Sequence, residues 1–240
     1  MTRVSADPCW PLAWPRVLVL RRALWVLGLA FVGALAAVDV DRLLQVAQER
    51  YAARGTTLIN QWSKLPADAK DMADTEVLNL VNNFVNRRVV FTDDQTVWNM
   101  PDYWATPLES MGRGQGDCED YAIAKYITLQ HLGMPNDKLR MIYVKARLGG
   151  AGSAHNQAHM VLGYFATPDA EPLILDNLIS SVRAASSRQD LQPVFSFNSD
   201  GLWTSGTASQ GDPTARLSRW RDVVERMRTE GWISAKAPAK

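Results

Sequence analysis

The sequence predicts an α+β domain, and three observations carry that reading. Helix-period apolar patterning dominates the first half of the chain, three β-like runs then follow one another, and a further helical stretch closes it. At 240 residues, with 47% apolar side chains, the chain is long enough to bury one substantial core. Net charge is +1, and no basic run or interleaving of aromatic with basic residues occurs, which argues against nucleic acid as a partner.

The elements are read in chain order. ALWVLGLAFVGALAAV, Ala23 to Val38, follows Arg16, Arg21 and Arg22 and contains the Ala34–Leu35–Ala36 spacing of a signal-peptidase site. It is shorter than the roughly 18 residues of a spanning helix. Residues 1–38 are therefore read as an export signal or an uncleaved membrane anchor, with a buried helix of the domain as the alternative. The domain proper is assigned to residues 39–232 and a loose tail to 233–240.

DVDRLLQVAQERYAARG spaces Leu43, Leu44, Ala47 and Tyr51 as a helix ending at Gly55, and TTLINQWSKL follows as a second, short one. ADTEVLNLVNNFVNRR is a third, capped by Asp74 or Thr75, with Val77, Leu80, Val81 and Phe84 on its apolar face. After VVF comes TDDQTVWNMPDYWATPLESMGRGQG, rich in Trp, Pro and Gly; long irregular stretches inside a compact domain tend to be functional. The central helix buries Ala122, Ile123, Tyr126, Ile127 and Leu129 and ends at Gly133 and Pro135. LRMIYVKA, HMVLGYF and PLILDNL read as strands, with RLGGAGSAHNQ as a loop and TPDAEP as a turn between them. DPTARLSRWRDVVERMRTEG is the closing helix, capped by Asp212, with Pro213 in its first turn and Gly231 as its stop.

Export changes what the cysteines mean. Cys9 precedes the apolar run, so Cys118 is the one thiol of the exported part, where disulfides normally form. Such a cysteine is either buried and inert or kept for chemistry. Cys118 starts the central helix, whose N-terminal partial positive charge favours a thiolate. His159 on one strand supplies a base for the thiol proton, and Asp176 at the end of the next supplies a carboxylate to fix the ring. A hairpin turning about Thr167–Pro168 sets His159 opposite Asp176. The plainer alternatives are a small core residue for Cys118, a hydrogen-bonded strand histidine for His159 and a turn-former for Asp176. His131 is read as supporting the end of the central helix and His155 as part of the glycine loop.

YWATPLESMGRGQGDCEDYAIAKY, NQAHMVLGYF, EPLILDNL, PVFSFNSDGLW and RLSRWRD together resemble the bacterial transglutaminase-like cysteine proteinases, over essentially all of the exported part. The resemblance implies a transglutaminase- or papain-like fold, its nucleophile helix packed on an antiparallel sheet. It makes Cys118 the nucleophile, His159 the base and Asp176 its orienter. It also implies calcium, and a role for the acids around the cysteine. Asp117 and Glu119 are the first candidate ligands and Asp120 the third, since Ca²⁺ takes hard oxygen donors. Without the resemblance, these acids read first as groups that cap the helix and favour its dipole, ahead of calcium ligands. The implied activity is periplasmic endoproteolysis near the N-terminus of a large surface adhesin, at a paired-alanine site. The implied regulator is an inner-membrane receptor of cyclic di-GMP that sequesters the protease. Acyl transfer to an amine through the same thioester and a calcium-responsive binding module without turnover are the alternatives. One departure from the family spacing is LGGAGSAH ahead of Asn156, an insertion beside the base. The first oxyanion donor is assigned to the Cys118 N–H, with Trp104 as a candidate second donor or a packing residue.

Overall fold

The computed structural model describes residues 38–149, 153–204 and 209–233. The expected export segment, 1–38, lies outside these but for Val38, and the expected tail, 233–240, but for Ile233. Among the described residues no helix is long and apolar enough to cross a membrane.

Asp39 accepts the Arg42 N–H at 2.9 Å and caps α1 (Val40–Trp62). The helix is broken at Ala52, with φ 49° and ψ −138°, three residues before the stop expected at Gly55. Gly55 sits instead where the two halves touch: a Cβ there would lie 2.4 Å from the Ala47 carbonyl oxygen. TTLINQWSKL is thus the second half of α1, and α2 (Leu65–Asp68) is one turn more. In α3 (Asp74–Asn86) the N-cap position falls to Ala73, not to Asp74 or Thr75. Glu76 closes that end by accepting the Ala73 N–H at 2.9 Å, while the Asp74 carboxylate accepts the Tyr164 hydroxyl. After β1 (Val90–Phe91), in the preceding VVF, the stretch expected to be irregular holds three short elements: α4 (Asp94–Trp98), α5 (Pro107–Arg113) and β2 (Gln115–Gly116). β1 and β2 pair in parallel, delivering the chain to the next helix.

That helix, α6 (Cys118–His131), is buried along nearly its whole length rather than on one stripe. A helix buried all round belongs at the centre of a domain. Packed against it are α3, α5 and the sheet, and Trp62 of α1 donates to the Thr128 hydroxyl at 3.0 Å. His131 stacks on Trp62 with ring centroids 3.9 Å apart, so its role is packing. Gly133, at φ 84°, turns the chain out of the helix.

The sheet comprises β3 (Leu139–Arg147), β4 (Asn156–Tyr164), β5 (Leu173–Leu175), β6 (Arg183–Ala184), β7 (Leu191–Phe197) and β8 (Leu202–Trp203). It is antiparallel, in the order β6-β5-β4-β3-β7-β8. The last three strands are not foreseen by the sequence reading. Side chains alternate across the sheet. Met141, Met160, Leu162 and Leu175 join α6 in the main core, while Ile142, Val144, Val161 and Ile174 form a second cluster on the other face. β5 pairs with β4 only from Leu162↔Leu175 to Tyr164↔Leu173, which leaves the first part of that β4 edge uncovered. The expected closing helix is two, α7 (Pro213–Arg216) and α8 (Ser218–Glu230), divided at Leu217 where φ −111° and ψ 97° are extended.

Candidate active site

Cys118 is the first residue of α6, where backbone N–H groups lack intrahelical partners. α6 packs on β4, and the Met160 backbone, on the strand edge that β5 leaves uncovered, favours the Cys118 thiolate. Met160 directly follows His159, so nucleophile candidate and base candidate meet at one strand edge. His159 Nε2 is 2.8 Å from Asp176 Oδ1, both side chains being almost fully buried. With Nε2 engaged, Nδ1 is the ring nitrogen left to exchange a proton with a thiol. The hairpin register corrects one expectation. Continuing from Leu162↔Leu175, it sets Asp176 across from Val161, so His159 is a diagonal neighbour two residues further along the same face. A diagonal pair still suits a long imidazole reaching a short carboxylate.

Asp176 is held from several sides. Leu178 N–H donates to Oδ1 at 3.1 Å, Arg188 Nη2 to Oδ2 at 2.7 Å, and Asn86 of α3 to its carbonyl at 2.9 Å. Burial alone would raise its pKa; the hydrogen bonds and charges of His159, Leu178 and Arg188 outweigh burial and hold it down to about 2. It stays a carboxylate at any physiological pH.

The thiol is in the opposite position. Cys118 donates to Glu119 Oε2 at 2.8 Å, and burial, the charges of Glu119 and Asp117 and this hydrogen bond push its pKa far up. As it stands, sulfur keeps its proton.

The acids around Cys118 fall into two groups. Asp94, Asp117 and Asp120 offer carboxylate oxygens within 4.8 Å of one another, as do Asp117 and Glu119 with the Cys118 sulfur. Asp120 accepts Ala105 N–H at 2.7 Å and Asp117 N–H at 3.3 Å, and Asp94 accepts Tyr103 N–H at 2.5 Å. Asp94 Oδ1 and Asp117 Oδ1 are buried without a hydrogen-bond partner among the described residues. Burial first, then repulsion by neighbouring carboxylates, pushes Asp117 and Asp120 upward, and burial with the charges of Glu119 and Asp102 pushes Asp94 up to about 6. Three hard donors with two orphaned oxygens suit a divalent calcium ion. The set containing sulfur suits it poorly. Of the sequence-predicted ligands, Asp117 and Asp120 enter the oxygen-only group and Glu119 stands beside it, turned to the thiol. Asp94 is the member the sequence reading missed; its one signal is an acid pair, Asp93–Asp94, inside the Trp-, Pro- and Gly-rich stretch.

The surroundings are braced. Gly116 lies so close to Asp120 that a Cβ would be 2.5 Å from Oδ2. Arg226 of α8 donates to Glu109 and to the Trp104 carbonyl, fixing the segment that presents Ala105 N–H. Trp104 is buried and stacks on Phe197 at 5.7 Å, which is a packing role.

The family model for the bacterial transglutaminase-like cysteine proteinases (BTLCP) matches residues 56–191. Among solved structures, the chain is similar to LapG of Legionella pneumophila in two forms. With the EGTA-treated form it shares 37% identity at a TM-score of 0.68, covering 80% of this chain and 99% of that one. With the calcium-bound form it shares 37% identity at a TM-score of 0.64, covering 79% and 99%. No curated protein matches the chain.

Proposed function

The chain belongs to the bacterial transglutaminase-like cysteine proteinases, and from that premise we propose that it is a calcium-dependent endopeptidase using Cys118, His159 and Asp176. The observation that carries this reading is the meeting, at the β4 edge, of the α6 N-terminal thiol with the strand that holds the His159–Asp176 pair at 2.8 Å.

Cys118 Sγ attacks the scissile carbonyl carbon as its proton passes to His159 Nδ1. The oxyanion faces the Cys118 N–H at the start of α6. The tetrahedral adduct collapses, the C–N bond breaks, and the imidazolium returns its proton to the leaving amine. Water, giving its proton to the same imidazole, then cleaves the thioester and restores the thiol. Throughout, Asp176 holds Nε2–H and stabilises the imidazolium.

Asp94, Asp117 and Asp120 would hold the calcium ion, with Glu119 at its border. When bound, the ion supplies positive charge against the carboxylates that now oppose thiolate formation. The existence of calcium-bound and EGTA-treated forms of LapG, with which the chain is similar, supports this part of the reading. The fitting compartment is the periplasm, in keeping with the apolar run at Ala23 to Val38. The fitting substrate is the N-terminal region of a large surface adhesin, cut at a paired-alanine site to release the adhesin and disperse a biofilm. Control falls to an inner-membrane receptor of cyclic di-GMP that sequesters the protease. The test is incubation with the N-terminal segment of a co-encoded adhesin, with and without chelator. One calcium-dependent cut supports the reading; an amide cross-link, or activity indifferent to strong chelation, refutes it.

A further inference from the structure

We propose that Arg188 is a positioning residue for this reaction: its guanidinium clamps Oδ2 of Asp176, which leaves Oδ1 directed at His159 Nε2. The inference rests on the nucleophile reading above and assigns a role to a residue outside the Cys118–His159–Asp176 set.

A carboxylate on a short stem can rotate about its last bond, and only one orientation serves the imidazole. The two oxygens of Asp176 have separate partners. Oδ1 takes His159 at 2.8 Å and the Leu178 N–H at 3.1 Å, while Oδ2 takes Arg188 Nη2 at 2.7 Å. Arg188 is itself fixed as a fork on Asp190, through Nε at 3.0 Å and Nη2 at 2.7 Å. The turn carrying both is tied to the end of β3, since Arg147 N–H donates to the Asp190 carbonyl at 2.8 Å and Leu191 N–H to the Arg188 carbonyl at 3.0 Å. A relay of fixed groups thus runs from the strand frame to the imidazole.

The energetics favour alignment over stability as the reason for this arginine. The Arg188 and Asp176 side chains are 1% and 0% exposed. Replacing such a buried pair by apolar residues is often neutral or stabilising, because desolvation offsets the Coulomb gain. Arg188 Nη1 has no hydrogen-bond partner among the described residues, a further penalty. Arg188 also lines the apolar cavity of about 380 Å³ on the outer face of the sheet, where a leucine or methionine would pack more cheaply. A second cation acting on Asp176 is Lys125, buried on α6, while the Asp190 carboxylate opposes Asp176 with like charge. Positive charge therefore reaches Asp176 from two elements, but only the fork has the geometry to set its rotation.

The test uses the full chain with Cys9→Ser, loaded with calcium, and reads the rate of Cys118 alkylation by iodoacetamide against pH. In the parent, thiolate formation is supported by an aligned imidazolium, so alkylation sets in well below an ordinary thiol pKa. Arg188→Lys keeps the charge but cannot span both carboxylates. Arg188→Met keeps neither. Both are expected to move the onset to higher pH, by about one unit or roughly tenfold in thiolate at fixed pH for the lysine. Simple loss of a cation, with Asp176 still aligned, strengthens the imidazolium and moves the onset down. A downward shift or no shift in folded protein overturns the proposal. Should the Arg188 variants fail to fold, Asp190→Asn decides: it frees the fork and must shift the onset upward by a smaller amount, and no shift overturns the proposal. A parent whose thiol titrates as an ordinary cysteine overturns the nucleophile reading and this role with it. A low onset in the parent, unmoved in the variants, overturns this role alone.

Discussion

Cys118 gives its thiol hydrogen to Glu119 Oε2, 2.8 Å away, rather than standing free for attack. Burial and the same carboxylate charge raise the thiol pKa, so Glu119 acts as a restraint on ionisation of the Cys118 thiol until the acids around it are compensated.

Glu119→Gln removes that charge. In metal-free protein, with Cys9→Ser, it is expected to speed Cys118 alkylation at neutral pH by roughly tenfold, one pKa unit. Stopped-time labelling followed by mass spectrometry reads the rate. An unchanged rate removes the restraint.

Cys118→Ala removes a small buried side chain beside a strand edge. Stability should change by no more than about 1 kcal/mol, and the calcium response of the melting temperature should persist, while cleavage is lost. Retained cleavage would rule out the sulfur as nucleophile.

Asp94→Asn tests the candidate ligand that sequence reading missed. Taking one charge from a repelling, buried set should leave the metal-free melting temperature equal or higher. Calcium affinity should fall by about tenfold or more, as removing a ligand anion does in comparable sites. Calorimetric titration decides it; wild-type affinity would exclude Asp94 from the site.

The same acids set a pH dependence. Asp94 is raised to about 6, and Asp117 and Asp120 are raised too, chiefly by burial. A carboxylate whose folded pKa is raised stabilises the fold while protonated, and that contribution is lost as pH rises through the folded value. Metal-free protein should therefore gain stability from these groups on moving from about pH 7 towards pH 5. Calcium requires the anions, so its stabilising effect should be large at the upper pH and small at the lower. Melting curves with calcium and with chelator at both values measure this; a calcium effect independent of pH counts against the carboxylate site.

Gly116→Ala puts a methyl group 2.5 Å from Asp120 Oδ2. Overpacking at a braced position costs about 1–3 kcal/mol. Denaturant unfolding should register that loss, and calcium affinity should drop with it, because Asp120 must move. A neutral result would mean the loop yields without disturbing the acids.

Local signals carried much of this molecule. GDCED places a thiol and its acids at a helix start, because glycines followed by a long helical pattern are a short-range signal. His159 and Asp176 come from consecutive strand runs whose side-chain parity keeps them on one face even though the register differs by two residues from the simple hairpin. Gly133 and Gly231, at φ 84° and 102°, mark helix ends whose left-handed turn glycine adopts without steric cost.

By itself, then, the sequence determined the α+β order and the ends of the central and closing helices, and it nominated Cys118, His159 and Asp176 as one candidate site. Tertiary structure alone decided that α1 breaks at Ala52 and that α6 is buried on every side. It alone brought Asp94 to Asp117 and Asp120, and Arg188 to Asp176. Those outcomes depend on distant segments excluding water together. A carboxylate's or guanidinium's partner is fixed by burial and by charges that become near neighbours only after the chain has folded.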